Sequence, residues 1–170
     1  CFEVPEDLRE AYRFAAGQYL TLRTMIDGQD VRRSYSICAG EDDGELRVAV
    51  KKIDGGAFSS FANENVGAGD EIEVMTPSGR FQLPAHEGGK RTLVAIAAGS
   101  GITPVLAMIR TVLTREAESE FYLFYGNRTS QSILFKEEIE NLKDLFPARF
   151  GVFHVLSREP QDVEMLSGRL

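Results

Sequence analysis

Residues 92–98, TLVAIAA, limit what this chain can fold into more than any other stretch. An uninterrupted apolar run of strand length reads as a β-strand covered on both faces, which is the environment of a parallel sheet flanked by helices. GSG follows at once, and Val105, Ile109 and Val112 then recur at helical spacing with Leu106 and Leu113 beside them. FYLFYG at 121–126 reads as a second buried strand, and FGVFHVLS at 150–157 as a third. Between them Phe135, Ile139, Leu142 and Phe146 keep the helical period. Strand, helix, strand, helix, strand predicts a doubly wound parallel sheet. The pattern stops at Leu170 with fewer elements than a complete nucleotide-binding domain, so a C-terminal remainder is expected.

Upstream the grammar differs. Short candidate strands lie at 2–4, 18–23, 31–38, 46–52, 71–76 and 80–83, separated by IDGQD, AGEDDGE, DGG, GAGDE and TPSG, all of them turn chemistry. Leu46, Val48 and Val50 alternate with Arg47, Ala49 and Lys51, as a half-buried strand should. This spacing predicts a small antiparallel six-stranded β-barrel. PAHEGGKR, 84–91, reads as a linker, which places a barrel domain at 1–88 and an α/β domain at 89–170.

A net charge of −7 argues against nucleic acid and anionic membranes as main partners. No window approaches the eighteen or so apolar residues of a membrane span. Cys1 and Cys38 are the only cysteines, and His86 and His154 lie far apart, so no metal ligand set is legible. That cysteine usage fits a reducing cytoplasm.

Three stretches carry chemistry. In AAGSGITP, 97–104, a buried strand ends in Gly99-Ser100-Gly101, with Thr103 as a natural N-cap and Pro104 as the first helical residue. Glycines let a phosphate approach the backbone, and a helix N-terminus offers it free N–H groups; the bland alternative is a tight turn that binds nothing. In VKKIDGGAFSSF, 50–61, Gly55 and Gly56 lead either into a hairpin-like turn or into a short helix with Ser59 in its first turn, a second anion cradle. In RRSYSI, 32–37, adjacent arginines point to opposite faces of a strand, so one heads inward and wants an anion.

RRSYS, GGAFS and GSGITP, in that order and spacing, resemble the ferredoxin–NADP reductase family across essentially the whole chain. The resemblance implies an FAD-binding barrel followed by an NADP-binding domain, with hydride passing from the nicotinamide C4 to the flavin N5. It assigns Arg33 to the flavin pyrophosphate, Tyr35 to the isoalloxazine or ribityl group, and Ser36 to the neighbourhood of N5, making Tyr35 and Ser36 the catalytic residues. Arg32 would face solvent, and Gly55, Gly56 and Ser59 would cap the pyrophosphate. Gly99, Gly101 and Thr103 would hold NADPH, and Ser157-Arg158 matches the serine–arginine pair that reads its 2′-phosphate. Arg128, in YGNR, is either a second phosphate contact or a solvated loop charge. YGNRTSQSILFKEEI and HVLSREP are similar to reductases of bacterial multicomponent oxygenases. That branch implies an oxygenase partner and a plant-type [2Fe–2S] centre in a C-terminal domain that this chain lacks, as it lacks the family's Cys-Gly-Pro segment. Rival readings are an NADH-dependent FMN or FAD reductase serving another acceptor, and a nucleotide-binding module without redox function.

Overall fold

The computed structural model describes residues 1–161, 163 and 166–170. Strands β1 (Tyr19–Ile26) and β2 (Gln29–Ser36) form a hairpin whose turn, Asp27-Gly28, has positive φ at both positions. That geometry matches the right-handed twist of the strands it joins. A short β3 (Glu73–Val74) pairs with the other edge of β1, giving the antiparallel order β2-β1-β3. Leu20 and Leu22 of β1 close over Ile37, Ala39, Leu46 and Phe58.

The six expected strands are drawn as these three and a set of isolated bridges, Phe2 to Leu46, Ile37 to Val48 and Tyr19 to Ser78. Residues 46–52 and 80–83 form no continuous ladder. Turn-rich sequence permits pairing at single points but not along whole strands. Helix α1 (Ala57–Glu64) follows the Gly55-Gly56 turn, so that turn opens a helix and is not a hairpin.

The second half is a parallel sheet in the order β4-β5-β6 (Thr92–Ala98, Glu120–Asn127, Phe150–Leu156), with α2 (Ile102–Arg115) and α3 (Lys136–Leu145) as its crossovers. Val105, Leu106, Ile109 and Val112 of α2 share one core with Phe121, Leu123 and Tyr125 of β5 and Ile139 and Leu142 of α3. The expectation that β4 is covered on both faces is corrected: Val94 is 62% and Ile96 70% exposed. Among the described residues β4 is a sheet edge and this core takes only its alternate residues. Phe135 and Phe146 flank α3 instead of lying inside it, yet both still pack on the core. The 84–91 connection is tied down, because the Arg91 guanidinium grips Glu116 at the end of α2 and donates to the Pro84 carbonyl.

Candidate functional site

β4 ends against a single 3-10 turn, Gly99–Gly101, that runs directly into α2. This corrects the capping expectation. Gly101 is the N-cap, no side chain caps the helix, and buried Thr103 lies within its first turn, donating to the Ser100 carbonyl at 3.1 Å. Gly99 sits at φ +51°, in the left-handed region that disfavours a side chain. The phenol of Tyr125 holds it there, donating to the Gly99 carbonyl at 2.8 Å. Burial pushes that phenol's pKa up, so it stays a donor. A Cβ built on Gly99 or Gly101 meets nothing within 4 Å, so both glycines face open space. Open space at both glycines ahead of a helix start with no side-chain cap suits a pyrophosphate.

The second turn is built differently. Gly55 is left-handed at φ +71° and open, but a Cβ on Gly56 would lie 2.5 Å from the Ser59 hydroxyl. That hydroxyl is buried and engaged: it accepts from the Ile53 amide at 3.1 Å and donates to the Gly56 carbonyl at 3.2 Å. Ser59 therefore holds the turn together, and what the turn can offer a ligand is the uncapped backbone at the start of α1. Phe58, in the same helical turn, packs on Tyr35 with ring centroids 5.6 Å apart, which brings the RRSYS strand beside this cradle.

In that strand neither arginine is buried, contrary to the inward guanidinium expected from strand alternation. What separates them is pairing. Arg32 donates to Asp30, which also receives Arg23. Arg33 donates only to its neighbour's carbonyl and meets no carboxylate among the described residues. Its charge is close enough to Tyr35 to offset part of the rise that burial imposes on that phenol. Ser36 is half-buried at the end of β2, opposite Tyr19.

At the C-terminal ends of β5 and β6 the ladder continues past the strands: Ser157 N–H donates to Asn127 and Arg158 N–H to the Arg128 carbonyl, at 3.0 and 2.9 Å. Arg128 and Arg158 are thus neighbours, both exposed, and neither pairs with a carboxylate among the described residues. Glu159, which follows Arg158, turns away to accept from the Ser130 amide and hydroxyl at 2.7 and 3.0 Å. Neither Tyr125 nor this role of Glu159 is legible in the sequence. Contacts 26 and 29 residues long leave no periodic signal.

Residues 1–83 match the oxidoreductase FAD-binding domain family, and residues 95–170 the oxidoreductase NAD-binding domain family. The chain belongs to the ferredoxin–NADP reductase family of FAD- and NAD-binding oxidoreductases. It is 48% identical over 169 residues to one component of the 1,2-phenylacetyl-CoA epoxidase of Escherichia coli, spanning 99% of this chain and 48% of that one. It is 34% identical to the ferredoxin reductase component of a 3-ketosteroid-9-alpha-monooxygenase of Rhodococcus rhodochrous, spanning 91% of this chain and 44% of that one. The chain thus spans about half the length of these curated relatives. Among solved structures it superposes on the Amycolatopsis cytochrome P450 reductase GcoB with TM-score 0.76 and 30% identity, covering 92% of this chain and 46% of that one. A flavohem-like FAD/NAD-binding domain of Vibrio cholerae nitric oxide dioxygenase gives TM-score 0.79 at 22% identity, over 92% and 66% of the two chains, a likeness of fold. No helix among the described residues is long and apolar enough to cross a membrane.

Proposed function

We propose that this chain is the electron-input part of an NADPH-dependent flavin reductase that serves an oxygenase through an iron–sulfur centre. The oxygenation is in the manner of phenylacetyl-CoA epoxidation, the reaction named for a relative 48% identical. FAD, when bound, supplies two-electron uptake and one-electron release. Arg33, with no carboxylate to neutralise it among the described residues, takes a pyrophosphate charge, and the backbone of Gly55, Gly56 and the first turn of α1, held in shape by Ser59, takes the rest. Tyr35, braced on Phe58, provides a flat apolar wall, and the Ser36 hydroxyl provides a donor near the reacting ring. Gly99, Gly101 and Thr103 present their amides to the nicotinamide nucleotide's pyrophosphate. The cluster lies outside these 170 residues, because Cys1 and Cys38 are the chain's only thiols.

The observation that carries the nucleotide choice is the pair Arg128 and Arg158, side by side at adjacent strand ends, with the adjacent acid, Glu159, engaged by Ser130. Two guanidiniums with no carboxylate partner among the described residues suit a 2′-phosphate, and Ser157 adds a hydroxyl. An acid facing the ribose would instead suit NADH. Calorimetric titration with NADP⁺ and NAD⁺ tests this. Arg158→Ala should weaken NADP⁺ about ten-fold or more, the loss of one charge-assisted contact, and leave NAD⁺ nearly unchanged. Arg128→Ala should act in the same direction. Equal weakening of both nucleotides, or of neither, would mean that Arg158 does not read the 2′-phosphate.

A further inference from the structure

The loop between β2 and the residue 46–48 segment reads in sequence as a turn of acids, GEDDGE, and the flavin and nucleotide assignments leave it unused. In the structure it is the seam between the two halves. Asp43 accepts from its own loop at Gly40 N–H, 2.7 Å, and from Arg110 Nε of α2, 2.5 Å. Glu138 of α3 receives Arg47 in a two-pronged contact at 3.0 and 2.7 Å and also Arg110 at 3.4 Å, so one carboxylate joins both halves and both helices. Asp42 and Glu41 hold Arg115, and Glu41 N–H donates to Thr111 of α2 at 3.1 Å.

These groups are not loosely solvated: the Asp43 side chain is 18% exposed and that of Arg110 27%. Glycines bring the backbones close enough for the pairs to form. A Cβ on Gly40 would lie 2.9 Å from the Arg110 Cβ, and one on Gly17 2.5 Å from the Met108 side chain. Beneath the charges, Ala16 and Cys38 pack into the same core as α2.

We infer that Arg110, Asp43, Glu138 and Arg47 are positioning residues, an ion-pair clamp that sets where the nucleotide turn stands relative to the flavin residues. The inference rests on the oxidoreductase reading above. α2 is one rigid rod with the Gly99–Gly101 turn at its N-terminus and the clamp two turns further along, so rotation at the clamp moves the turn. Reaction between two bound groups tolerates little error, about a hundred-fold in rate for 1 Å. Paired charges with fixed hydrogen-bond directions define an angle, which apolar packing alone leaves soft.

The test uses Arg110→Met, which keeps bulk and removes both contacts, and Arg110→Lys, which keeps the charge. In the FAD-loaded enzyme Arg110→Met should slow single-turnover bleaching of the flavin by saturating NADPH at least about ten-fold. FAD content and the nucleotide dissociation constant should stay within about two-fold, and Arg110→Lys should recover most of the rate. Hydrogen exchange, read without nucleotide, should show the Glu41 amide opening at least about ten-fold faster in Arg110→Met while β1 and β4 keep their protection. An unchanged bleaching rate overturns the clamp, as does a rate loss matched by equal loss of nucleotide affinity. If neither nicotinamide nucleotide bleaches the wild-type flavin, the oxidoreductase reading falls, and the exchange measurement alone decides: an unaltered Glu41 amide overturns the clamp.

Discussion

GGAFS and GSGIT look alike in sequence and behave differently in the fold. Each sets a left-handed glycine ahead of a helix whose first turn has no side-chain cap. The first turn closes on itself, since Ser59 binds Ile53 and Gly56 and the helix it opens has eight residues. The second is held from outside by Tyr125 of the neighbouring strand, and it opens a fourteen-residue helix built into the core. One glycine pair is spent partly on its own packing. The other faces open space.

The sharpest way to break that contrast is Gly56→Ala. Its Cβ would meet the Ser59 hydroxyl at 2.5 Å and the Ile53 carbonyl at 3.0 Å, so the turn must shift. A cost of about 1–3 kcal/mol is expected, of the size of overpacking, and urea denaturation reads it. A variant as stable as the wild type would mean that the turn is not self-packed.

Tyr125→Phe tests the other turn. Removing the phenol takes away one of the two partners of the Gly99 carbonyl and leaves the bond from the Ile102 amide, which should lower stability by about 0.5–1.5 kcal/mol. Nucleotide affinity should fall with it while FAD affinity holds. If both cofactors weaken alike, Tyr125 supports the core in general and not the turn.

The far end of α2 sharpens the comparison by showing what anchors the rod. Burial pulls the Glu116 carboxyl up, but bonds from Arg91 and Ser119 outweigh it and hold the group below its ordinary 4.5. A carboxyl depressed on folding adds stability above its unfolded pKa and loses it as pH falls through the folded one. Glu116→Gln should therefore cost about 1 kcal/mol near neutrality, and the gap in melting temperature should close as pH drops below about 4.5. A gap independent of pH would show that the charge contributes nothing.

Gly101→Ala is the smallest change in stability and the most selective. Gly101 has φ −63°, ordinary for any residue, and its Cβ would meet nothing. Stability should move by less than about 0.5 kcal/mol, whereas the added methyl should cut NADP⁺ affinity by standing where the phosphate would lie. Unchanged affinity in calorimetric titration would move the nucleotide off this turn.

Period and turn chemistry were legible in the sequence. Leu20 and Leu22 alternate into one core, Val105, Ile109 and Val112 line one face of α2, and the positive-φ positions 28, 55 and 99 carry glycine because a side chain is strained there. The sequence also marked RRSYS, GGAFS and GSGITP as the chemical stretches. Which of two adjacent arginines stays unpaired was beyond it, because strand alternation gives direction, whereas Asp30 decides the pairing by its own placement in the hairpin. The helix start after Gly101, the exposure of Ile96, the grip of Tyr125 on Gly99 and the sharing of Glu138 by Arg47 and Arg110 were decided only by tertiary structure. A hydrogen bond spanning 91 residues, as from Arg47 to Glu138, depends on where two separately folded segments come to rest, and no local pattern in the chain specifies that.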